Sequence, residues 1–173
     1  MFMVKENIEQ KDRLDKLYRV VKKIFGFIPP QTELLGNIEA SYLEDYITMV
    51  TRIIKQKNIE RNLFTFLRLH IAFREDYDYC KGYNTKVLLS SGYTQELLDN
   101  VINDIEAVPF NDAHKALAKF AIKAIYEPKE CKKEDFEEIY KMGWSQKEVF
   151  DIVEHAGTLL KNGRILSAYW QKS

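Results

Sequence analysis

Cysteine is scarce in this sequence: two residues, Cys80 and Cys131, in a chain of 173. That excludes a disulfide-built scaffold and points to a reducing compartment. Net charge is absent as well. Twenty-six basic residues balance 26 acidic ones, so no overall field draws nucleic acid or an anionic membrane. The pairs Lys22–Lys23 and Lys132–Lys133 are too short for a binding stripe and read as solvated helix faces. No apolar run approaches the ~20 residues that span a bilayer. The opening "MFMVKENIEQKDRLDKLYRVVKKIF" breaks its apolar residues with charge and offers no secretory h-region. The expectation is a cytoplasmic protein with reduced thiols and neither nucleic-acid nor membrane partners.

Glycine and histidine are equally uninformative for phosphate or metal chemistry. The seven glycines fall mostly at the ends of apolar-periodic segments, and none builds a phosphate loop. His70, His114 and His155 are scattered, without an i,i+4 pair or a cysteine at zinc spacing. His114 is expected in an exposed first helical turn, and His155 is expected to be a packed histidine beside an apolar stripe. Neither a cofactor nor a metal is expected. Cys131, among the charges of "KECKKED", reads as an exposed bystander.

What the sequence has in quantity is helical periodicity. It is 46% hydrophobic, with ten Phe and ten Tyr, enough to fill the core of one domain over residues 1–173. Leu14, Leu17, Tyr18, Val21, Ile24 and Phe25 form one stripe, closed at Gly26 before the extended "IPP". A second long stripe runs from Leu35 to Ile54. Residues 63–73 are apolar nearly all round, which marks a central helix or one facing a second subunit. Thr94 and Asn111 or Asp112 stand as N-caps, and Ser145 to Glu148 is a capping box. The closing helix is expected either to continue through Gly163 or to kink there. No window of strand alternation competes, so the spacing predicts an all-α bundle of about eight helices.

One segment stands apart. In "DYDYCKGYN", residues 76–84, Cys80, Asn84 and Leu88 share a helical face, and Tyr77 lies one turn earlier on nearly the same face. Tyr77, Tyr79 and Tyr83 put three phenols around one thiol, and a buried Asn84 requires a polar partner.

"FLRLHIAFREDYDYCKGYNTKVLLSSGYTQELLDNVI" resembles the core of the carboxymuconolactone decarboxylase superfamily, which includes the AhpD alkylhydroperoxidases. That family has a buried helix, then C-x-x-C-x-x-x-H opening the next. The upstream "FGFIPPQTELLGNIEASYLEDY" and downstream "KMGWSQKEVFDIVEHAGTLLKNGRILSAYW" are similar to its entry and closing helices. The resemblance implies an AhpD-like fold, homo-oligomeric assembly and a peroxidase-related role of the oxidative-stress class. It puts the family's attacking cysteine at Cys80, its resolving cysteine at Tyr77 and its histidine at Asn84. The family's glutamate would fall near Thr65, while Glu60 and Glu75 stand at the wrong distance. Three of these four positions are therefore altered.

With no resolving cysteine, an oxidised Cys80 needs an external thiol. With no neighbouring base or cation in the pattern, its thiolate is scarce at neutral pH. Cys80 is expected to be a buried, poorly reactive relic. The occupant would be a small hydroperoxide, or an apolar ligand if the protein is a non-catalytic binding or structural oligomer. A decarboxylase would need His70 or His155 as proton carrier, and whether His70 reaches Cys80 is left open.

Overall fold

The computed structural model describes residues 3–170. Among them the chain forms nine α-helices and no strand: α1 (Lys11–Phe25), α2 (Pro30–Ile38), α3 (Ala40–Lys55), α4 (Arg61–Arg74), α5 (Asp78–Ser90), α6 (Gln95–Asn103), α7 (Asp112–Tyr126), α8 (Lys133–Lys141) and α9 (Gln146–Tyr169). Two single 3-10 turns, Ile105–Ala107 and Pro128–Glu130, flank α7. None of these helices is long and apolar enough to cross a membrane.

The chain divides into two compact units. One comprises residues up to Lys55 together with those from Arg164 onward; the other comprises Gln56–Gly163. In the first, Leu14, Val21, Ala40 and Leu43 form the buried centre, with Leu17, Tyr18, Phe25, Leu35 and Ile47 around it. Gly26 ends α1 in the left-handed conformation, φ 82°, and its N–H reaches the Lys22 carbonyl. Pro29 is extended and Pro30 opens α2, where a missing N–H costs nothing.

The second stripe is not one helix. Glu39 is extended, and the side-chain oxygen of Gln10 accepts the Ala40 N–H at 2.9 Å, starting α3 afresh. The apolar spacing passes smoothly across this break, because the break is imposed by a residue thirty positions away.

In the second unit α4 is the centre, packed by α5, α6 and α7. Leu63, Phe66, Leu67, Leu69, Ile71 and Ala72 are all fully buried, while Phe73 near the end of α4 is exposed. The helix ends follow local chemistry. Thr94 caps α6 by accepting from Leu97 N–H, and Asn111 caps α7 by accepting from His114 N–H. Ser145 and Glu148 form the reciprocal box that opens α9, with Ser145 N–H donating to Glu148 at 2.8 Å. α9 then runs without interruption through Gly163.

Candidate functional site

Asp76 turns the chain out of α4 with φ 60°, a conformation that aspartate tolerates better than most residues. Tyr77 follows as the N-cap of α5 and is buried. Its ring lies where a Cβ on Gly163 would sit, and its hydroxyl donates to the Leu160 carbonyl at 3.2 Å. Where the resemblance would put a resolving thiol there is therefore a phenol keyed into α9. Tyr79 and Tyr83 stack in parallel, ring centroids 6.0 Å apart, toward the outside of α5.

Cys80 is free and only partly buried, not enclosed as the sequence suggested. It opens α5, where the first turn is incompletely covered. Asn84, one turn on, is buried, and its amide N–H donates to the Cys80 carbonyl at 2.7 Å. The Asn84 side-chain oxygen accepts from Arg68 Nε at 2.9 Å. Arg68 is the partner that a buried asparagine required, and it corrects the expectation that no cation stands near the thiol.

The guanidinium has two further anchors. Nη2 donates to Thr65 Oγ1 at 2.8 Å, and Nη1 lies 3.1 Å from His155 Nε2. Thr65, the position where the family resemblance would put a glutamate, thus holds the arginine from one turn earlier on α4. Burial pushes the Cys80 thiol upward in pKa, while the positive charge of Arg68 pulls it back only in part. Little thiolate forms at neutral pH, but what forms meets a fixed cation.

The histidines separate cleanly. His70 lies two residues from Arg68, hence on a different side of α4. It is buried, and its Nδ1–H donates to the Val101 carbonyl of α6 at 2.9 Å. The structure thus places it in a helix–helix tie and not with the Cys80 cluster. His114 is buried rather than exposed. Its Nδ1–H donates to Asn111 Oδ1 at 2.8 Å, its Nε2 accepts from Glu60 N–H, and Trp144 meets its ring edge-on. Tertiary packing overrode its place in a first turn. His155 is packed as expected, edge-on against Phe64 at 5.0 Å, but it also joins the Arg68 cluster. Among the described residues no three His, Cys, Asp or Glu side chains converge as a metal site.

Arg68 and His155 are the site residues that sequence reasoning missed or left as packing. A signal was present: "TFLRLHIAF" carries one arginine in the middle of a mostly apolar helix. Arginine is rarely buried unless paired, so such a residue must have a polar destination.

The site is a partly buried single thiol at a helix start, next to an asparagine that is hydrogen-bonded to an anchored arginine. The all-α fold around it is that of AhpD-like peroxidase-related proteins. No family model matches the chain, and no curated protein matches it. Solved structures do. An uncharacterised peroxidase-related protein with an alkylhydroperoxidase AhpD core, from Ralstonia eutropha JMP134, superposes with a TM-score of 0.77 at 15% identity, over 99% of this chain and 92% of that one. An uncharacterised peroxidase-related protein from Silicibacter sp. TM1040 gives 0.75 at 14% identity, over 91% and 83%. A cysteine-to-alanine variant of the debrominase Bmp8, in complex with 2,3,4-tribromopyrrole, gives 0.72 at 17% identity, over 96% and 92%. At such identities the likeness establishes the fold.

Proposed function

We propose that this is a one-cysteine, peroxidase-related thiol protein in which Cys80 reacts slowly with a small hydroperoxide and is recycled by an external thiol. The support is Arg68, anchored by Asn84, Thr65 and His155, whose positive charge works against the burial that raises the Cys80 thiol pKa. A fixed cation beside a thiol favours the attacking thiolate.

The chemistry balances without a second protein cysteine. The Cys80 thiolate attacks the terminal peroxide oxygen; the S–O bond forms, the O–O bond breaks, and the alkoxide leaves as alcohol after taking a proton. The sulfenic acid condenses with one external thiol, releasing water. A second external thiol cleaves that mixed disulfide and restores Cys80. Tyr77 cannot resolve the sulfenic acid, so no internal dithiol cycle runs. Burial of the thiol keeps the rate low.

The deciding experiment follows peroxide consumption by the wild type with a small-molecule thiol, against Cys80→Ser. Slow turnover that disappears in the serine variant supports the proposal. Turnover near the ~10 s⁻¹ typical of enzymes would refute the poor-thiol element, and activity surviving in Cys80→Ser would move the chemistry elsewhere. A brominated pyrrole, the kind of ligand that the debrominase complex holds, is a second electrophile to offer Cys80.

The Tyr77 ring seated on Gly163 favours a second reading, in which the site only binds an apolar ligand. No peroxide consumption together with a ligand-dependent rise in melting temperature would select it. Homo-oligomeric assembly is part of the proposal. Most apolar side chains of α4 are already buried within the chain, so its support is the exposed Phe73, Tyr79 and Leu89. Light scattering at a mass of 20.4 kDa would exclude it.

A further inference from the structure

We propose that Gly163 is a positioning residue for the Cys80 thiol: its missing side chain makes the seat in α9 that holds Tyr77, and through Tyr77 the first turn of α5. This deepens the thiol reading above by naming what holds the thiol-bearing turn, and it rests on that reading for the use of the thiol.

Gly157 and Gly163 both lie inside the helical run of α9. Glycine is among the poorest residues for a helix interior, and neither of these has the positive φ that would call for it. Their surroundings separate them. A Cβ on Gly157 would meet nothing nearer than Ile125 Cγ2 at 3.9 Å, an ordinary van der Waals contact. A Cβ on Gly163 would fall on the Tyr77 ring, with Cδ2, Cε2 and Cζ all inside any real contact distance. The ring has little freedom to step aside. It is buried, and its hydroxyl donates to the carbonyl of Leu160, one turn before Gly163 on the same face of α9. Gly163 is thus the position in α9 where the ring needs bare backbone, and Gly157 is not.

The backbone of the same tyrosine starts the helix that carries the thiol. Asp76 leaves α4 at φ 60°, and the Tyr77 N–H then donates to the Ala72 carbonyl at 2.9 Å. Tyr77 is the N-cap of α5, and its carbonyl accepts the Lys81 N–H at 2.9 Å. Its side chain reaches α9 rather than capping α5. Cys80 is the third residue of α5, inside the turn that Tyr77 begins. The ring in its seat therefore ties the thiol-bearing turn to α9, and unseating the ring loosens that turn first.

The test pairs Gly163→Ala with Gly157→Ala, reading melting temperature and the iodoacetamide alkylation rates of Cys80 and Cys131 in one sample. Gly163→Ala should lower the melting temperature and speed Cys80 alkylation about fivefold, the factor for a modest local opening, with Cys131 unchanged. Gly157→Ala should do neither, since alanine fits there and favours the helix. Tyr77→Val ends short of the ring atoms, so in that background Gly163→Ala should no longer lower the melting temperature. Unchanged Cys80 alkylation in a folded Gly163→Ala protein would overturn the proposal, and so would an equal rise at both cysteines. Should Gly163→Ala fail to fold, Tyr77→Val alone decides, because it removes the ring and leaves Gly163 in place. Faster alkylation confined to Cys80 is expected, and an unchanged rate would overturn the proposal. Alkylation needs no peroxide. A protein that consumes none but still shows the selective rise would sink the peroxidase reading and leave the role of Gly163 standing.

Discussion

Cys80 and Cys131 are the same residue type, both free and both partly buried, yet their surroundings differ in kind. Cys131 follows a 3-10 turn, with its sulfur 4.0 Å from the Glu127 carbonyl. The nearby Lys123 ammonium is matched by Asp135 at 2.7 Å, so a carboxylate absorbs that charge. Cys80 opens a helix whose next turn holds Asn84; the Asn84 amide bonds the Cys80 carbonyl on one side and accepts from Arg68 on the other, and Arg68 also bonds Thr65 and His155. Exposure alone does not distinguish two thiols. What distinguishes them is what stands beside the neighbouring cation: the Asp135 carboxylate for Lys123, and the Thr65, Asn84 and His155 side chains for Arg68.

The comparison breaks most sharply by removing each sulfur. Cys80→Ser should reduce thiol-dependent peroxide consumption to the buffer background, whereas Cys131→Ser should leave it unchanged, both read by loss of peroxide absorbance. Equal losses in the two variants would erase the distinction.

The cation comes next. Arg68→Met, which keeps the aliphatic length, should slow Cys80 alkylation at neutral pH about fivefold, as expected when an opposite charge is withdrawn from a thiolate. Lys123→Met should leave Cys131 alkylation within about a factor of two, because Asp135 already spends that charge. Quantitative mass spectrometry of alkylated peptides reads both sites in one sample.

The third test concerns the pillar behind Arg68. Folded His155 is held at about 3 against an ordinary value of 6.5, so in that interval the unfolded chain binds a proton that the folded one refuses. Its contribution to stability is therefore complete above about pH 6.5 and declines as pH falls toward 3, by up to about 1.4 kcal/mol per pH unit. Urea midpoints measured at decreasing pH should show this slope in the wild type and a flatter one in His155→Phe. Identical slopes would count against a neutral imidazole in the folded protein.

The smallest expected effect is an absence. Peroxide treatment should yield no Cys80–Cys131 cross-linked peptide on non-reducing mass spectrometry, since the two thiols stand on separate elements with unrelated surroundings. A stoichiometric bridge would require their Cα atoms within roughly 7 Å and would undo the contrast.

Much of the fold is legible locally because helix stripes and caps are short-range physics. The Leu14–Phe25 stripe with Gly26, the Thr94 and Asn111 caps, the Ser145–Glu148 box and the apolar α4 all follow from residues within one or two turns. Cys80 and Asn84 on one face of α5 belong to the same kind of inference. What lay beyond reach depended on partners distant in the chain. Gln10 splits the second stripe at Glu39. Glu60 and Trp144 draw His114 inside, and Val101 claims His70.

The sequence by itself determined an all-α chain with a single thiol opening α5, because periodicity and capping are properties of neighbours. Only the tertiary structure decided what faces that thiol. A lone arginine in α4 announces that it needs partners, but its spacing cannot say that they are Thr65, Asn84 and His155. Hydrogen bonds across 16 and 87 residues exist only once α5 and α9 are packed against α4.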